Sequence, residues 1–183
     1  LYVRGVLRPG VRPEPPEPAS TDQDAGRVDH LGGVGAFDAV RRIETLLEAW
    51  GHEPPSVLRT GGLGLRDLRR LPRLLDVDEA GAALLTELAY VSGLLAPTAD
   101  ADPVWLPTPA YDAWIREEPA ARWIHLITAW LATSRVPGLV GQRDERDRTI
   151  TPLGPDLDRS LAPDVRRLVL DALAALPPGA APE

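Results

Sequence analysis

The stretch Leu65-Arg66-Asp67-Leu68-Arg69-Arg70-Leu71-Pro72-Arg73-Leu74-Leu75-Asp76-Val77-Asp78-Glu79-Ala80-Gly81-Ala82-Ala83-Leu84-Leu85 decides the reading of the fold. Leu65, Leu68, Leu71, Leu74 and Leu75 trace one face of a helix beginning after Gly64. Asp76-Val77-Asp78-Glu79 is too brief to be anything but a turn and an N-cap. A second helix runs from Asp78 to about Ser92, burying Leu84, Leu85, Leu88 and Val91, and Gly93 stops it. Two short helices joined this tightly form a helix-turn-helix. Pro72 lies inside the first of them, where it should kink the helix or restart it.

Working outward, Leu94-Leu95 and Val104-Trp105-Leu106-Pro107 flank the turn-forming run 97–103, which reads as a small hairpin. Upstream, Phe37, Val40, Ile43, Leu46, Leu47 and Trp50 recur at three and four residues, predicting a helix from about Gly35 to Trp50. Ser56 to Arg59, after Pro54-Pro55, is short and extended. Helix, helix-turn-helix and hairpin, with a third strand near Val57, is the element order of a winged helix. It is expected over residues 34–118. Beyond it, Thr108 caps a short helix opened by Pro109 and carrying Tyr111, Trp114 and Ile115. Pro119 opens another to about Ala132, with Trp123, Ile124, Ile127, Trp130 and Leu131 on one side. Residues 134–162 form a long irregular stretch. Pro163 opens a last helix with Val165, Leu168, Val169 and Leu173 expected to face inward. The fold class is therefore mainly α with a small β-wing. The winged helix is followed by a helical extension, 119–183, with room for a second winged-helix module. Residues 1–33 form a leader. Leu1 to Leu7 reads as one short strand, the prolines of 9–18 exclude helix, and 19–33 continues as linker.

Composition narrows the function. The chain has 183 residues, 44% of them hydrophobic and 26% charged, enough for a packed core. No run of about 18 apolar residues is present, which excludes a transmembrane helix, and no signal peptide opens the chain. The chain lacks cysteine, so thiolate zinc sites and thiol nucleophiles drop out. His30, His52 and His125 are scattered and make a poor ligand set. A cytoplasmic protein without metal or cofactor is expected. All 20 basic residues are arginine, and lysine, asparagine and methionine are missing. That bias points to a very G/C-rich bacterial gene, and with no initiator Met a piece of a longer protein is expected. The net charge of −7 argues against coating nucleic acid by bulk electrostatics.

No motif supports catalysis, and a non-enzyme is expected. Leu74 to Gly81 imitates the acidic box of a nucleotide hydrolase, but that chemistry needs a phosphate-binding lysine. Asp78 as an N-cap, with Glu79 in the first turn, explains the same residues. Gly61-Gly62-Leu63-Gly64 lacks the spacing of a dinucleotide fingerprint and reads as a flexible helix entry. Asp156 and Asp158 sit in a Pro/Gly-rich loop where solvation accounts for them. Of Trp105, Trp114, Trp123 and Trp130, three sit at helical core spacing on flanking helices, so core packing is expected, although tryptophans also stack bases.

The arginine stripe carries functional content. Arg59, Arg66, Arg69, Arg70 and Arg73 fall within fifteen residues containing one acid, Asp67. The leucines take the inner face and leave these arginines outside, as a solvated helix face or as a phosphate-contacting patch. The second helix carries Asp78, Glu79 and Glu87 and none of the side chains that usually read base edges. It is therefore not expected to read sequence in a major groove. The module meets the DNA backbone through its arginines or it contacts protein.

Pro54-Pro55-Ser56-Val57-Leu58-Arg59-Thr60-Gly61-Gly62-Leu63-Gly64-Leu65-Arg66-Asp67-Leu68-Arg69-Arg70, then Val77-Asp78-Glu79 and Ala82-Ala83-Leu84-Leu85, and then Val104 to Trp114, resemble actinobacterial helicase-associated proteins. Those proteins are similar in this region to the N-terminal domain of XPB-type DNA repair helicases. The resemblance runs from about Gly35 to Leu176, including Gly154-Pro155-Asp156-Leu157 and Leu161-Ala162-Pro163. It implies winged-helix modules accompanying a helicase in repair or transcription, with DNA as ligand, and it transfers no catalytic residue. Two functions remain open: a DNA-binding accessory module, or a protein-interaction or scaffolding module without DNA binding. A dimeric transcription regulator is a third, weaker option.

Overall fold

A computed structural model of the chain describes residues 2–3, 6–7 and 19–182. It is mainly helical, with short two-stranded antiparallel sheets. Tyr2–Val3 (β1) pairs with Val6–Leu7 (β2), so the opening residues fold back rather than form one strand. The proline-rich 9–18 lies outside the described residues. Ser20–Asp22 (β3) pairs with Ala180–Pro182 (β6), which joins the two ends of the described chain.

Helix α1 spans Ala25–His52 and starts ten residues before the Gly35 expected from periodicity. Asp24 caps it by accepting a hydrogen bond from the Arg27 N–H at 2.7 Å. Burial begins only at Val40 and continues through Ile43, Leu46, Leu47 and Trp50. The first turns therefore carry no inward stripe for a pattern argument to detect.

The expected first helix of the pair is two. Leu65–Leu68 (α2) and Leu71–Leu75 (α3) are separated at Arg69–Arg70. Pro72 sits in the first turn of α3, where its missing N–H costs nothing, so it restarts the helix. Rephasing buries Leu68, Leu71 and Leu75 and leaves Leu65 and Leu74 exposed. At the end of α3, Asp76 takes a left-handed conformation with φ of 51°. The Arg42 guanidinium donates there to the carbonyls of Leu75 and Asp76. Helix α4 spans Glu79–Val91, with Asp78 accepting from the Gly81 N–H at 2.7 Å.

Leu95–Pro97 (β4) and Trp105–Pro107 (β5) form the expected hairpin in the register Leu95–Pro107, Ala96–Leu106, Pro97–Trp105. Residues 55–57 run alongside it. Trp105 N–H donates to Pro55 C=O and Val57 N–H to Pro103 C=O, each at 2.9 Å. Helices α5 (Pro109–Trp114) and α6 (Pro119–Ala132) begin at proline as read. Thr108 precedes α5 without capping it, because its hydroxyl donates to the Gly93 carbonyl at 2.6 Å. On α6 the residue driven inward is Leu126, and Ile124 and Leu131 stay exposed. Trp105 and Trp114 are buried, and Trp123 and Trp130 pack against the same core.

The stretch 134–162 is part of that core. Short 3-10 turns at Pro137–Leu139 and Pro155–Leu157 bring in Ile150, Leu153 and Leu157. Its anchor is a buried ion pair between α4 and the segment after α6. Glu87, 1% exposed, accepts from Arg135 Nε at 2.5 Å and Nη2 at 3.1 Å, and also from the Leu153 N–H. Arg135 Nη2 continues to the Gly154 carbonyl at 2.8 Å, and the guanidinium stacks 5.1 Å from the Tyr90 ring centroid. Burial works against the Arg135 charge, but the hydrogen-bonded Glu87 carboxylate more than offsets it and holds the guanidinium above its ordinary pKa.

Helix α7 (Ala162–Ala174) corrects the last expectation. None of its residues is buried, and Val165, Leu168, Val169 and Leu173 face outward. Its hold on the body is Arg166, which stacks on Trp130 and donates to the carbonyls of Trp130, Thr133 and Arg135. No helix among the described residues is long and apolar enough to cross a membrane.

Glu87→Ala leaves the buried Arg135 guanidinium with only the partly exposed Asp158 carboxylate, 3.6 Å from Nη1, and should cost about 3 kcal/mol. The pair replacement Glu87→Leu with Arg135→Met should recover most of that. Urea unfolding followed by tryptophan fluorescence measures both. A loss below about 1 kcal/mol in the single variant contradicts the anchoring role.

Candidate nucleic-acid interface

The break between α2 and α3 sets the arginine geometry. Arg69 and Arg70 occupy the joint, where Arg69 N–H donates to Leu65 C=O and Arg70 N–H to Asp67 C=O, both at 3.1 Å. Arg66 precedes the joint and Arg73 follows it. The two short helices bury their leucines against α1 and α4, so all four guanidinium groups stand on the outside. Arg66 and Arg70 line a groove of about 470 Å³ between the end of α1 and α2–α3, together with Trp50, Pro54, Asp67 and Leu74. Arg69, Arg70 and Arg73 border a second depression of about 550 Å³, again with Leu74. Arg70 and Leu74 belong to both, so the four arginines form one ridge with an exposed leucine in it.

The ridge is nearly free of counter-charge. Arg70 Nη1 lies 3.9 Å from a Glu53 carboxylate oxygen and 4.0 Å from one of Asp67. Pairs this long and exposed contribute little. Among the described residues, Arg59, Arg66, Arg69 and Arg73 form no salt bridge and no side-chain hydrogen bond. The acids of 143–148 do not neutralise them. Asp144 accepts from the Arg148 and Arg146 backbone N–H groups and pairs with the Arg148 side chain at 2.6 Å. The Arg148 backbone donor above all, with its guanidinium and the Arg146 N–H, holds the Asp144 carboxyl below its ordinary value.

Arg59 stands apart and lines neither depression. It sits on a tight hairpin in which Leu58 N–H donates to Gly62 C=O at 3.0 Å and Gly61 N–H to Leu58 C=O at 2.8 Å. Gly61 and Gly62 have φ of 80° and 87°, which only glycine adopts without strain. The hairpin is tied inward by Leu63 N–H to Pro152 C=O at 2.8 Å and by Trp105 Nε1–H to Gly62 C=O at 3.3 Å. Gly61-Gly62-Leu63-Gly64 is thus a built turn rather than a loose helix entry. Arg59 is exposed on this turn, ahead of α2.

Helix α4 exposes only Glu79, Ala80 and Leu84, and Leu84, expected inside, is 40% exposed. Ala82, Ala83, Leu85, Thr86, Glu87, Leu88 and Ala89 are buried, and the Pro137–Leu139 turn packs on it. Glu87, expected among the surface acids of this helix, is the buried partner of Arg135. The missed signal was the lone Arg135 between Ser134 and Val136, which pattern alone could not pair with a residue 48 positions away. The turn between β4 and β5 carries Asp100 and Asp102 and no basic side chain. Among the described residues, no three His, Cys, Asp or Glu side chains converge to hold a metal ion.

No family model, curated protein or solved structure matches the chain.

A Cβ at position 62 would lie 2.7 Å from Thr151 Oγ1 and 2.9 Å from the Pro152 carbonyl oxygen. Gly62→Ala should therefore destabilise the chain by roughly 1–3 kcal/mol, measured by thermal unfolding. Gly93→Ala is the control, since its φ is also positive but no atom lies within 4 Å of its Cβ. Equal losses in the two would show that backbone conformation alone, and not the seat on 151–154, is at stake.

Proposed function

We propose that this chain is a non-catalytic DNA-binding module of winged-helix arrangement that grips the phosphate backbone through Arg66, Arg69, Arg70 and Arg73. The observation that carries this reading is the exposed guanidinium ridge along α2–α3, in which Arg70 alone approaches carboxylates and only at 3.9–4.0 Å, on a chain whose net charge is −7. Elsewhere in the same protein, Arg42, Arg122, Arg135 and Arg166 are consumed by carbonyls, carboxylates and aromatic rings. Guanidinium forks that are spared this use match phosphate oxygens in geometry and charge. Support for the winged helix comes from the order α1, α2–α3, α4, β4–β5, with residues 55–57 bridged beside β5 as a third strand. The resemblance to helicase-associated proteins supplies the setting, an accessory role in DNA repair or transcription. Binding of this kind is blind to sequence, because the exposed residues of α4 and of the hairpin turn include no arginine, lysine, asparagine or glutamine, the side chains that mainly read base edges. Arg59, on the turn before α2, assists them.

The covered face of α4 and the acidic turn at Asp100 and Asp102 favour a second reading, a protein-interaction or scaffolding module that leaves DNA alone. One titration separates them. Fluorescence anisotropy with duplex and forked DNA at low salt should show binding that weakens with salt by a log–log slope of roughly −3 to −4, one increment per contact. Arg69→Glu with Arg70→Glu should lower affinity at least ~10-fold and flatten the slope by about 2. Unchanged affinity in that variant removes the ridge from the binding surface. No binding by the unsubstituted chain leaves the second reading standing.

A further inference from the structure

We propose that the groove between the end of α1 and α2–α3 is a pocket for an unpaired guanine base of a DNA strand whose phosphates lie on the arginine ridge. This assignment rests on the phosphate-gripping role proposed for the ridge and names what the same surface takes up beside the backbone. The groove, of about 470 Å³, falls in the range of small-ligand sites, roughly 300–1,000 Å³. Its two walls carry the same pair of chemistries. Glu53 and Pro54 stand on the α1 side, and Asp67 and Leu74 on the α2–α3 side. Exposed Pro54 and Leu74 offer apolar surface to a flat ring, and the two carboxylates offer acceptors to its edge.

A surface that held phosphate alone would have no use for those acids. Arg70 Nη1 lies 3.9 Å from Glu53 Oε1 and 4.0 Å from Asp67 Oδ1, beyond hydrogen-bond distance, so the ridge does not consume either carboxylate. Trp50 adds a donor. It is 5% exposed and borders the groove, yet among the described residues its indole N–H meets no acceptor. The buried Trp105 and Trp114 donate theirs to the carbonyls of Gly62 and Arg122. A tryptophan this deeply buried normally has its N–H answered. The groove is the space from which an acceptor can approach it.

Guanine fits that set of groups best. Its Watson–Crick edge places two donors, N1–H and the N2 amino group, side by side and next to the acceptor O6. No other DNA base presents two adjacent donor nitrogens that a carboxylate can take in a two-point pair. Thymine would turn two carbonyl oxygens toward the same acids. The edge is free only in an unpaired base, so the pocket takes overhanging or single-stranded nucleotides and leaves duplex binding indifferent to sequence. Arg66 and Arg70 line the groove, and Arg70 and Leu74 also border the depression of Arg69 and Arg73. A strand passing from one depression to the other keeps its phosphates on guanidinium groups while one base turns inward.

Fluorescence anisotropy of the full chain with a blunt duplex, and with the same duplex carrying a short dT overhang, tests the pocket when one overhang dT is replaced by dG or by deoxyinosine. The dG probe should bind about 10-fold more tightly than the dT probe, the increment of one two-point base contact. Deoxyinosine, which lacks the 2-amino group, should lose most of that gain. Asp67→Asn should abolish the gain while blunt-duplex affinity holds or rises, since a negative charge beside Arg70 is gone. Glu53→Gln, at an exposed site on the opposite wall, should reduce the gain in the same direction. Equal affinity for the dG and dT probes, with blunt duplex still bound, overturns the pocket and spares the ridge. Variants that tighten binding to every probe by one common factor also overturn it, because the acids then only repel phosphate. Binding of the dG probe without the blunt duplex keeps the pocket and removes the ridge, and failure to bind any probe removes both. Displacement of the dG probe by micromolar dGMP makes a free nucleotide the ligand and overturns the DNA strand as its source.

Discussion

A carboxylate taken out of water must have its lone pairs answered, and at Glu87 that requirement organises half of the chain. One oxygen is held by Arg135 Nε, and the other by Arg135 Nη2 and the Leu153 N–H. The guanidinium in turn reaches the Gly154 carbonyl. These bonds draw residues 135 and 153–154 onto α4, and Leu153 and Leu157 follow into the core. The Arg135 carbonyl then receives Arg166, so the root of α7 depends on the same anchor. A buried pair of this kind is weak as a net stabiliser, because desolvating both charges offsets most of their attraction. Its effect is selective: an arrangement that separates the partners is far costlier than one that keeps them.

The same anchor limits function. With the Pro137–Leu139 turn packed on α4, that helix keeps only Glu79, Ala80 and Leu84 exposed, a face without a basic or amide side chain. The arginines divide accordingly. Those near helix ends spend their donors on carbonyl groups that the backbone leaves unpaired, as Arg42 does at α3 and Arg166 at α6. Those of α2–α3 lie beside helices of four and five residues whose inner faces are filled by leucine. Their side chains donate to no carbonyl, and they are exposed. An all-arginine chain can therefore hold structural clamps and a free ridge at once, since the planar fork serves carbonyl, carboxylate and phosphate equally well.

What sequence could convey here was local. Proline at the first turns of α3, α5 and α6, the Asp78 cap and the turn residues of the β4–β5 hairpin mark boundaries through chemistry confined to a few residues. The structure keeps them. Periodicity was a weaker guide where a stripe exists without a core to meet it. Val165, Leu168, Val169 and Leu173 read as inward-facing because an amphipathic helix in one domain normally buries its stripe, and here they do not. The start of α1 failed in the opposite way, since its glycines argue for linker although the Asp24 cap and the β3–β6 clasp hold it helical. Glu87 looked like a surface acid, because nothing within one turn of it reveals Arg135. The ridge was legible as four outward arginines.

Amphipathicity thus states that a face is to be covered and leaves the cover unnamed. In α6 the cover is the chain's own core at Leu126, whereas in α7 it is not. The distinction has an energetic basis: a 13-residue helix without a buried residue gains too little from its own hydrogen bonds to persist alone. Arg166 secures its root and the β3–β6 clasp its tip, and the span between them presents apolar surface to solvent.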